Sequence, residues 1–305
     1  MFGKYLKLKI KFFLNRFRYF YGMSEQLEMY QNLSWRPPGH FYSPVLNVEE
    51  ILKRKEKIFK NTEIVLPGIE LNIKEQLELL DFFSRLKEIP FTPKGIEQFR
   101  YYYENKYFTY SDGFFLKSFL LYFRPKRIIE VGSGFSSALM VDLNENEFSR
   151  SIDITLIEPF PENRLNKLIR ESDKVTIIKE FVQDLDLNIF KELGENDILF
   201  IDSSHVFKTG SDLNFLFFEV FPILSRGVIV HIHDIFYPFE YPIEWVLEKR
   251  SWNEIYFLRA FLIHNPEFKI LIFNSFLGKF FEKEMLTSSN LLTKESGSSL
   301  WIQKV

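Results

Sequence analysis

Residues 127–137 read Arg-Ile-Ile-Glu-Val-Gly-Ser-Gly-Phe-Ser-Ser. The β-branched run up to Val131 predicts a strand, and Gly132-Ser133-Gly134 predicts a tight turn that opens a helix. Glycine carries no side chain, so backbone of this kind approaches a ligand closely. Further β-branched runs follow at 154–158, 175–178, 197–202 and 228–233, with helical stretches between them. Strand, helix, strand at this spacing predicts a parallel sheet with right-handed crossovers. Two last runs, 268–273 and 299–303, are separated by a polar, Ser-rich stretch, and an antiparallel pair at the sheet edge is expected there. The expected class is α/β, with seven strands, mostly parallel.

Working back from residue 127, the rhythm stops. Apolar spacing predicts helices over 48–60 and 73–88, with Leu77, Leu80, Phe83 and Leu86 along one face of the second. The Tyr-rich stretch 96–107 reads as a third helix. Trp35-Arg36-Pro37-Pro38-Gly39-His40 reads as a loop. Residues 1–114 are therefore expected to form a helical N-terminal region, and 115–305 the sheet domain. Residues 1–22 alternate Lys and Arg with Leu, Ile and Phe and carry no acid. They suit a basic amphipathic helix on an anionic membrane surface, or an ordinary helix that packs its Phe face inward. The small-residue cleavage site of a secretory signal is absent from this stretch.

Composition sets the outer limits. The chain has 305 residues, 46% of them hydrophobic, and a net charge of −2. That is enough apolar matter for a full core, and too little positive charge for nucleic acid as the main partner. No apolar run reaches the roughly 18–20 residues of a spanning helix. Cysteine is absent, which removes disulfides, thiolate metal sites and a Cys nucleophile, and fits a reducing compartment. The expected location is cytoplasmic, with residues 1–22 allowing contact at the inner membrane face. Phe occurs 36 times, so a run of Phe here is weak grounds for an aromatic binding surface.

Ligands of open α/β sheets bind beyond the carboxyl ends of the strands. The expected tips carry Glu130-Val131-Gly132-Ser133-Gly134, Glu158-Pro159, Gln183-Asp184, Asp202-Ser203-Ser204-His205 and His231-Ile232-His233-Asp234. Glu158 falls at the end of the second strand, where a carboxylate accepts both ribose hydroxyl protons. The third glycine of the dinucleotide fingerprint would be residue 137, which is Ser, so a pyrophosphate is poorly served. Three of the five histidines, 205, 231 and 233, lie at adjacent tips. His231 sits deeper in its strand than His233 and reads as structural.

Glu130-Val131-Gly132-Ser133-Gly134 with the second-strand acid resembles the class I S-adenosylmethionine (SAM) dependent methyltransferases, over roughly residues 110–305. The Asp202–His205 segment, Lys208-Thr209-Gly210-Ser211-Asp212, His231–Asp234 and Gly39-His40-Phe41-Tyr42-Ser43-Pro44 resemble a bacterial subgroup found with sugar and polysaccharide biosynthesis. The resemblance implies a Rossmann-like fold and SAM as cofactor. It places Glu130, Gly132, Ser133 and Gly134 around the methionine part of SAM, with Ser136 toward its carboxylate. Glu158 would hold the ribose, and Gln183 and Asp184 would lie near the adenine.

Asp202-x-x-His205 is similar to the arrangement of macrolide-sugar O-methyltransferases, which implies His205 as base and Asp202 as a ligand of a divalent ion. Asp234 matches a second metal carboxylate, preceded here by His233 where those enzymes have an acid. Asp202, His233 and Asp234 are thus the candidate metal residues. This set suits Mn²⁺, Zn²⁺ or Fe²⁺ better than Mg²⁺, and a metal-free site is also open. The reaction implied is O-methylation of a saccharide or another small-molecule hydroxyl. Other readings are a metal-dependent hydroxylase or other small-molecule enzyme on the same sheet, and an inactive membrane-surface binding protein. Self-association into a homo-oligomer is open as well.

Overall fold

A computed structural model describes residues 35–60, 64–162 and 164–305. The basic segment 1–22 lies outside them. Chain contacts divide the molecule into two compact units, Met1–Lys60 with Ile243–Ser251, and Asn61–Pro242 with Trp252–Val305. None of the described helices is long and apolar enough to cross a membrane.

In the first unit, Asn47 caps helix α1 (Val48–Lys53) by accepting the Glu50 N–H at 3.2 Å. Acids in the first turn and a lysine in the last complement the helix dipole. The helix expected to run on to residue 60 breaks at Arg54, and a single turn, Lys55–Ile58, follows. The Leu46 N–H donates to Ser251 Oγ at 3.2 Å and ties the two segments of this unit together.

The second unit is organised by a seven-stranded sheet in the order β3-β2-β1-β4-β5-β7-β6. Its strands are β1 (Arg127–Val131), β2 (Asp153–Ile157), β3 (Val175–Ile178), β4 (Ile198–Ile201), β5 (Ile229–Ile232), β6 (Phe268–Phe273) and β7 (Leu300–Lys304). The pairs β1–β2, β2–β3, β1–β4 and β4–β5 are parallel, as the spacing predicts. Strand β7 runs against both its neighbours and lies one place in from the edge, which is β6. The order reverses between β1 and β4, and a crevice opens at such a switch point.

Helix α2 (Ile73–Ser84) is shorter than expected, and its buried stripe is Gln76, Leu79, Leu80 and Phe83. Gln76 is the informative member. Its Oε1 accepts the Phe273 N–H at 2.8 Å, while Asn72 Nδ2 donates to the Ile270 carbonyl at 3.3 Å. Two side-chain amides thus satisfy groups of the edge strand that would otherwise invite another chain.

Helix α3 (Tyr110–Phe123) is apolar nearly all round and is buried, with Phe119 stacked on Trp301 of β7 at 3.8 Å. The third helix expected at 96–107 does not form. Asn105 Oδ1 accepts the N–H groups of Tyr107 and Phe108, and its amide donates to the Tyr102 and Phe108 carbonyls. The Arg100 and Tyr101 N–H groups go to the Asp142 carboxylate instead of to a helical turn. The buried Arg100 guanidinium pairs with Asp142, Glu145 and Asp173, which pins this segment to helix α4 (Phe135–Glu147).

Candidate active site

The β1 turn is the first structural component. Gly132 has φ +80°, and a Cβ there would lie 1.9 Å from the Asp202 carbonyl oxygen. Only glycine permits this contact between the β1 and β4 tips. Below the turn, the fully buried Glu130 accepts hydrogen bonds from the hydroxyls of Ser136 and Ser137. Burial pushes the Glu130 carboxyl up to about 8, against the pull of those hydroxyls. Glu130 and Ser136 thus form the floor of the turn. Glu158 rises beside it, accepting the Ser133 N–H at 3.2 Å and the Phe160 N–H at 2.8 Å.

A cleft of about 350 Å³ lies over this turn. Gly132, Glu158, Phe160, Gln183, Asp202 and Ser203 are among its lining residues. Of the expected cofactor residues, Gly132, Glu158 and Gln183 face this space. Glu130, Ser133, Gly134 and Ser136 build the turn from behind, and Asp184 is exposed to solvent. Gln183 Oε1 and Ser203 Oγ are buried without a hydrogen-bond partner. Unpaired buried polar atoms are costly, so these two are free to meet water or a bound polar molecule.

The second structural component lies at the tips of β4 and β5. His205 Nε2 is 3.4 Å from Asp202 Oδ1 and 3.7 Å from Asp234 Oδ2. Donor atoms of these three residues all fall within 4.8 Å of one another. His205 and Asp234 both hold left-handed backbone, φ +59° and +58°, a conformation that non-glycine residues keep only where the surroundings impose it. Asp212 is one such support, accepting the Ser204 N–H at 2.9 Å and the Ser204 hydroxyl at 2.6 Å.

Helix α5 (Asp212–Phe215) begins there, capped by Ser211. The Lys208–Asp212 motif thus shapes the turn that carries His205. On its other side, His205 Nδ1 is 2.8 Å from Oε2 of the fully buried Glu254, at the start of helix α6 (Glu254–Leu262). The Trp252 ring lies against the imidazole, centroids 4.3 Å apart.

Burial lowers the affinity of His205 for a proton, but Asp202 and Glu254 outweigh it and hold the imidazole well above its usual range. Burial raises Asp202 likewise, and His233 with His205 more than reverses that. His233 borders the three-residue cluster, as near to Asp234 as His205 is. Its Nε2 is 3.7 Å from Asp234 Oδ1 and its Nδ1 is 3.5 Å from Ser299 Oγ. The structure thus groups His205, and not the expected His233, with the two aspartates.

His231 is fully buried, stacked on Phe200 at 3.7 Å, and held well below its usual range by burial and by His233. The aromatic stretch after β5 turns inward, burying Tyr237, Phe239 and Tyr241. Glu254 and Trp252 are the functional candidates that the sequence reading missed. They belong to no motif, and Glu254 meets His205 from 49 positions along the chain.

Residues 129–235 match a family model described as a methyltransferase domain. An uncharacterized protein of Archaeoglobus fulgidus is 40% identical over 166 residues, which cover 53% of this chain and 75% of that protein. Among solved structures, an S-adenosylhomocysteine-bound methyltransferase of Podospora anserina is similar at a TM-score of 0.42 and 15% identity, covering 85% of this chain and 97% of that one. The matched residues run from within β1 to just past β5 and include Asp202, His205 and Asp234, while Trp252 and Glu254 lie beyond them. The methyltransferase-domain match thus takes in 107 of the 305 residues, with the β1 turn and the second-strand acid among them.

Proposed function

We propose that this protein is a SAM-dependent O-methyltransferase acting on a saccharide or glycan-precursor hydroxyl, with His205 as general base. The observation that carries the reading is Asp202. It lines the cleft over the glycine turn and also belongs to the acid–imidazole cluster, so cofactor space and base meet at one side chain. The residues present fit SAM. Glu158 offers a carboxylate for ribose hydroxyls, Gln183 Oε1 an unpaired acceptor for an amino group, and Ser203 Oγ an unpaired hydroxyl. Bound SAM supplies a methyl group on a cationic sulfur.

His205 acts as base only when neutral, and its acidic surroundings favour the charged form. A positive charge beside Asp202 shifts the balance toward the neutral imidazole. His205 Nε2 would take the acceptor hydroxyl's proton as that oxygen bonds to the methyl group SAM would supply, the carbon–sulfur bond breaking to leave the thioether. Glu254 fixes His205 through Nδ1 and balances the imidazolium once it forms.

A second reading has its own support. Asp202, His205 and Asp234 form a donor set for a divalent cation, and the Glu254–His205 pair is the carboxylate–histidine arrangement that orients metal ligands. Such an ion would be held by these three residues and would acidify the acceptor hydroxyl, leaving His205 as ligand instead of base.

Calorimetry with SAM, followed by assay of labelled SAM against a panel of sugars and nucleotide sugars with and without EDTA, tests both. SAM binding with EDTA-resistant transfer is expected. Loss of transfer in EDTA, restored by Mn²⁺, would select the metal reading. Absence of SAM binding would sink the proposal as a whole.

A further inference from the structure

We infer that Asp112, a buried carboxylate on the first turn of α3, is a positioning residue for Asp234 and acts through Ser298. The inference rests on the methyltransferase reading for what Asp234 does. Its geometry is independent of that reading.

Ser298 grips Asp234 from two sides. Its hydroxyl donates to Asp234 Oδ1 at 3.0 Å, and its carbonyl accepts the Ile235 N–H at 2.7 Å. Asp234 holds left-handed backbone at φ +58°, and these two bonds brace that strained point. Ser298 is itself anchored by Asp112. Its N–H donates to Asp112 Oδ1 at 3.1 Å, the Ser299 hydroxyl to the same oxygen at 2.5 Å, and Asn274 Nδ2 at 3.2 Å.

A Cβ on Gly297 would lie 2.8 Å from both Asp112 Oδ1 and Asn274 Nδ2, and Gly297 has φ +75°. The 297–299 turn therefore closes around Asp112 only with glycine in that place. Burial raises the Asp112 carboxyl, while His233, a neighbour of Asp234, pulls it the other way with the Ser299 hydroxyl and the Ser298 N–H. A carboxylate with three donors on one oxygen is an expensive way to join a helix to a strand, since apolar packing does this at least as well. Here it fixes Ser298, whose hydroxyl meets Asp234, and it also holds the Ser299 hydroxyl, 2.9 Å from His231 Nε2.

A double-mutant cycle tests the inference. Asp112→Asn and Ser298→Ala are each combined with Asp234→Asn, and methyl transfer and SAM affinity are measured on the full chain. Either single change is expected to lower kcat roughly 10–100-fold, the range for a supporting partner behind a site residue. SAM affinity stays within about twofold, and in the Asp234→Asn background the further loss is also within about twofold. Undiminished losses in that background would overturn the inference.

Ser298→Ala is the gentler variant, and it decides the matter if Asp112→Asn fails to fold. If wild-type protein transfers no methyl group, the parent reading fails, and ring ¹⁵N spectra of the five histidines decide the inference separately. Ser298→Ala is then expected to shift His205, which faces Asp234 Oδ2. A spectrum in which His205 stays unmoved would overturn it.

Discussion

The cleft over Gly132 and the cluster at the β4 and β5 tips share Asp202, and they are made in opposite ways. Cleft groups come from short stretches next to strand ends: a glycine turn, an acid at the end of β2, an amide after β3. They are partly open, and two polar atoms wait without partners. In the cluster His205 and Glu254 are buried and Asp202 opens to the cleft; residues far away in sequence hold it, Glu254 Oε2 behind His205 and Ser298 beside Asp234, while Glu254 Oε1 has no partner. A space that must admit and release a large cofactor keeps its polar groups uncommitted. A site that must hold a base to a fraction of an ångström commits them.

If that division of labour is right, the two halves separate under mutation. His205→Ala is expected to lower turnover by roughly 10²–10⁴-fold, the usual share of a general base, and to leave SAM affinity nearly unchanged. Calorimetry beside steady-state kinetics reads both, and normal turnover would end the base assignment. Gly132→Ala attacks the point where the halves touch. A Cβ 1.9 Å from the Asp202 carbonyl, on backbone at φ +80°, forces the β1 and β4 tips apart. A stability loss of about 2–4 kcal/mol is expected in thermal melts, together with loss of SAM binding. A variant that melts normally and binds SAM would show that the two tips move independently.

Glu158→Gln probes the cleft alone. It keeps the shape and removes the charge that accepts ribose hydroxyls, so SAM affinity should fall by about 1.5–3 kcal/mol, roughly 10–100-fold. Turnover at saturating SAM should stay close to wild type. A fall in kcat with unchanged affinity would invert the comparison and place Glu158 in the chemistry.

Legibility followed the same divide. The sheet could be read because parallel strands buried on both faces appear as short β-branched runs at a regular spacing. Gly132 and Glu158 could be read because each follows its strand directly, and Gln183 because it comes five residues after β3 ends. Glu254 could not be read, because its partner lies 49 positions away and a helix-start acid looks like any other. The helix expected at 96–107 failed for a related reason. Asn105 and Asp142 take the backbone donors that a helix would use, and Asp142 comes from α4. His233 was placed among the metal residues because it precedes Asp234, whereas the left-handed turns at 205 and 234 bring His205 to the aspartates instead.

The remaining effect concerns the floor that both halves rest on. Burial lifts the Glu130 carboxyl from the ordinary 4.5 to about 8, so the folded protein holds its proton where the unfolded chain has lost it. A group shifted in this direction contributes full stability below about 4.5, and that contribution is lost as pH rises through the folded value. Across most of that window a single such group changes stability by about 1.4 kcal/mol per pH unit. Glu130→Gln keeps the shape, cannot ionise and still accepts a serine hydroxyl. Denaturant midpoints of both proteins, measured from pH 5 to 8, should therefore diverge, with the wild type falling more steeply. Parallel curves would mean that the Ser136 and Ser137 hydroxyls already hold Glu130 as a carboxylate. The turn would then be built over a fixed negative charge, and the floor would join the cluster's electrostatics instead of standing apart from them.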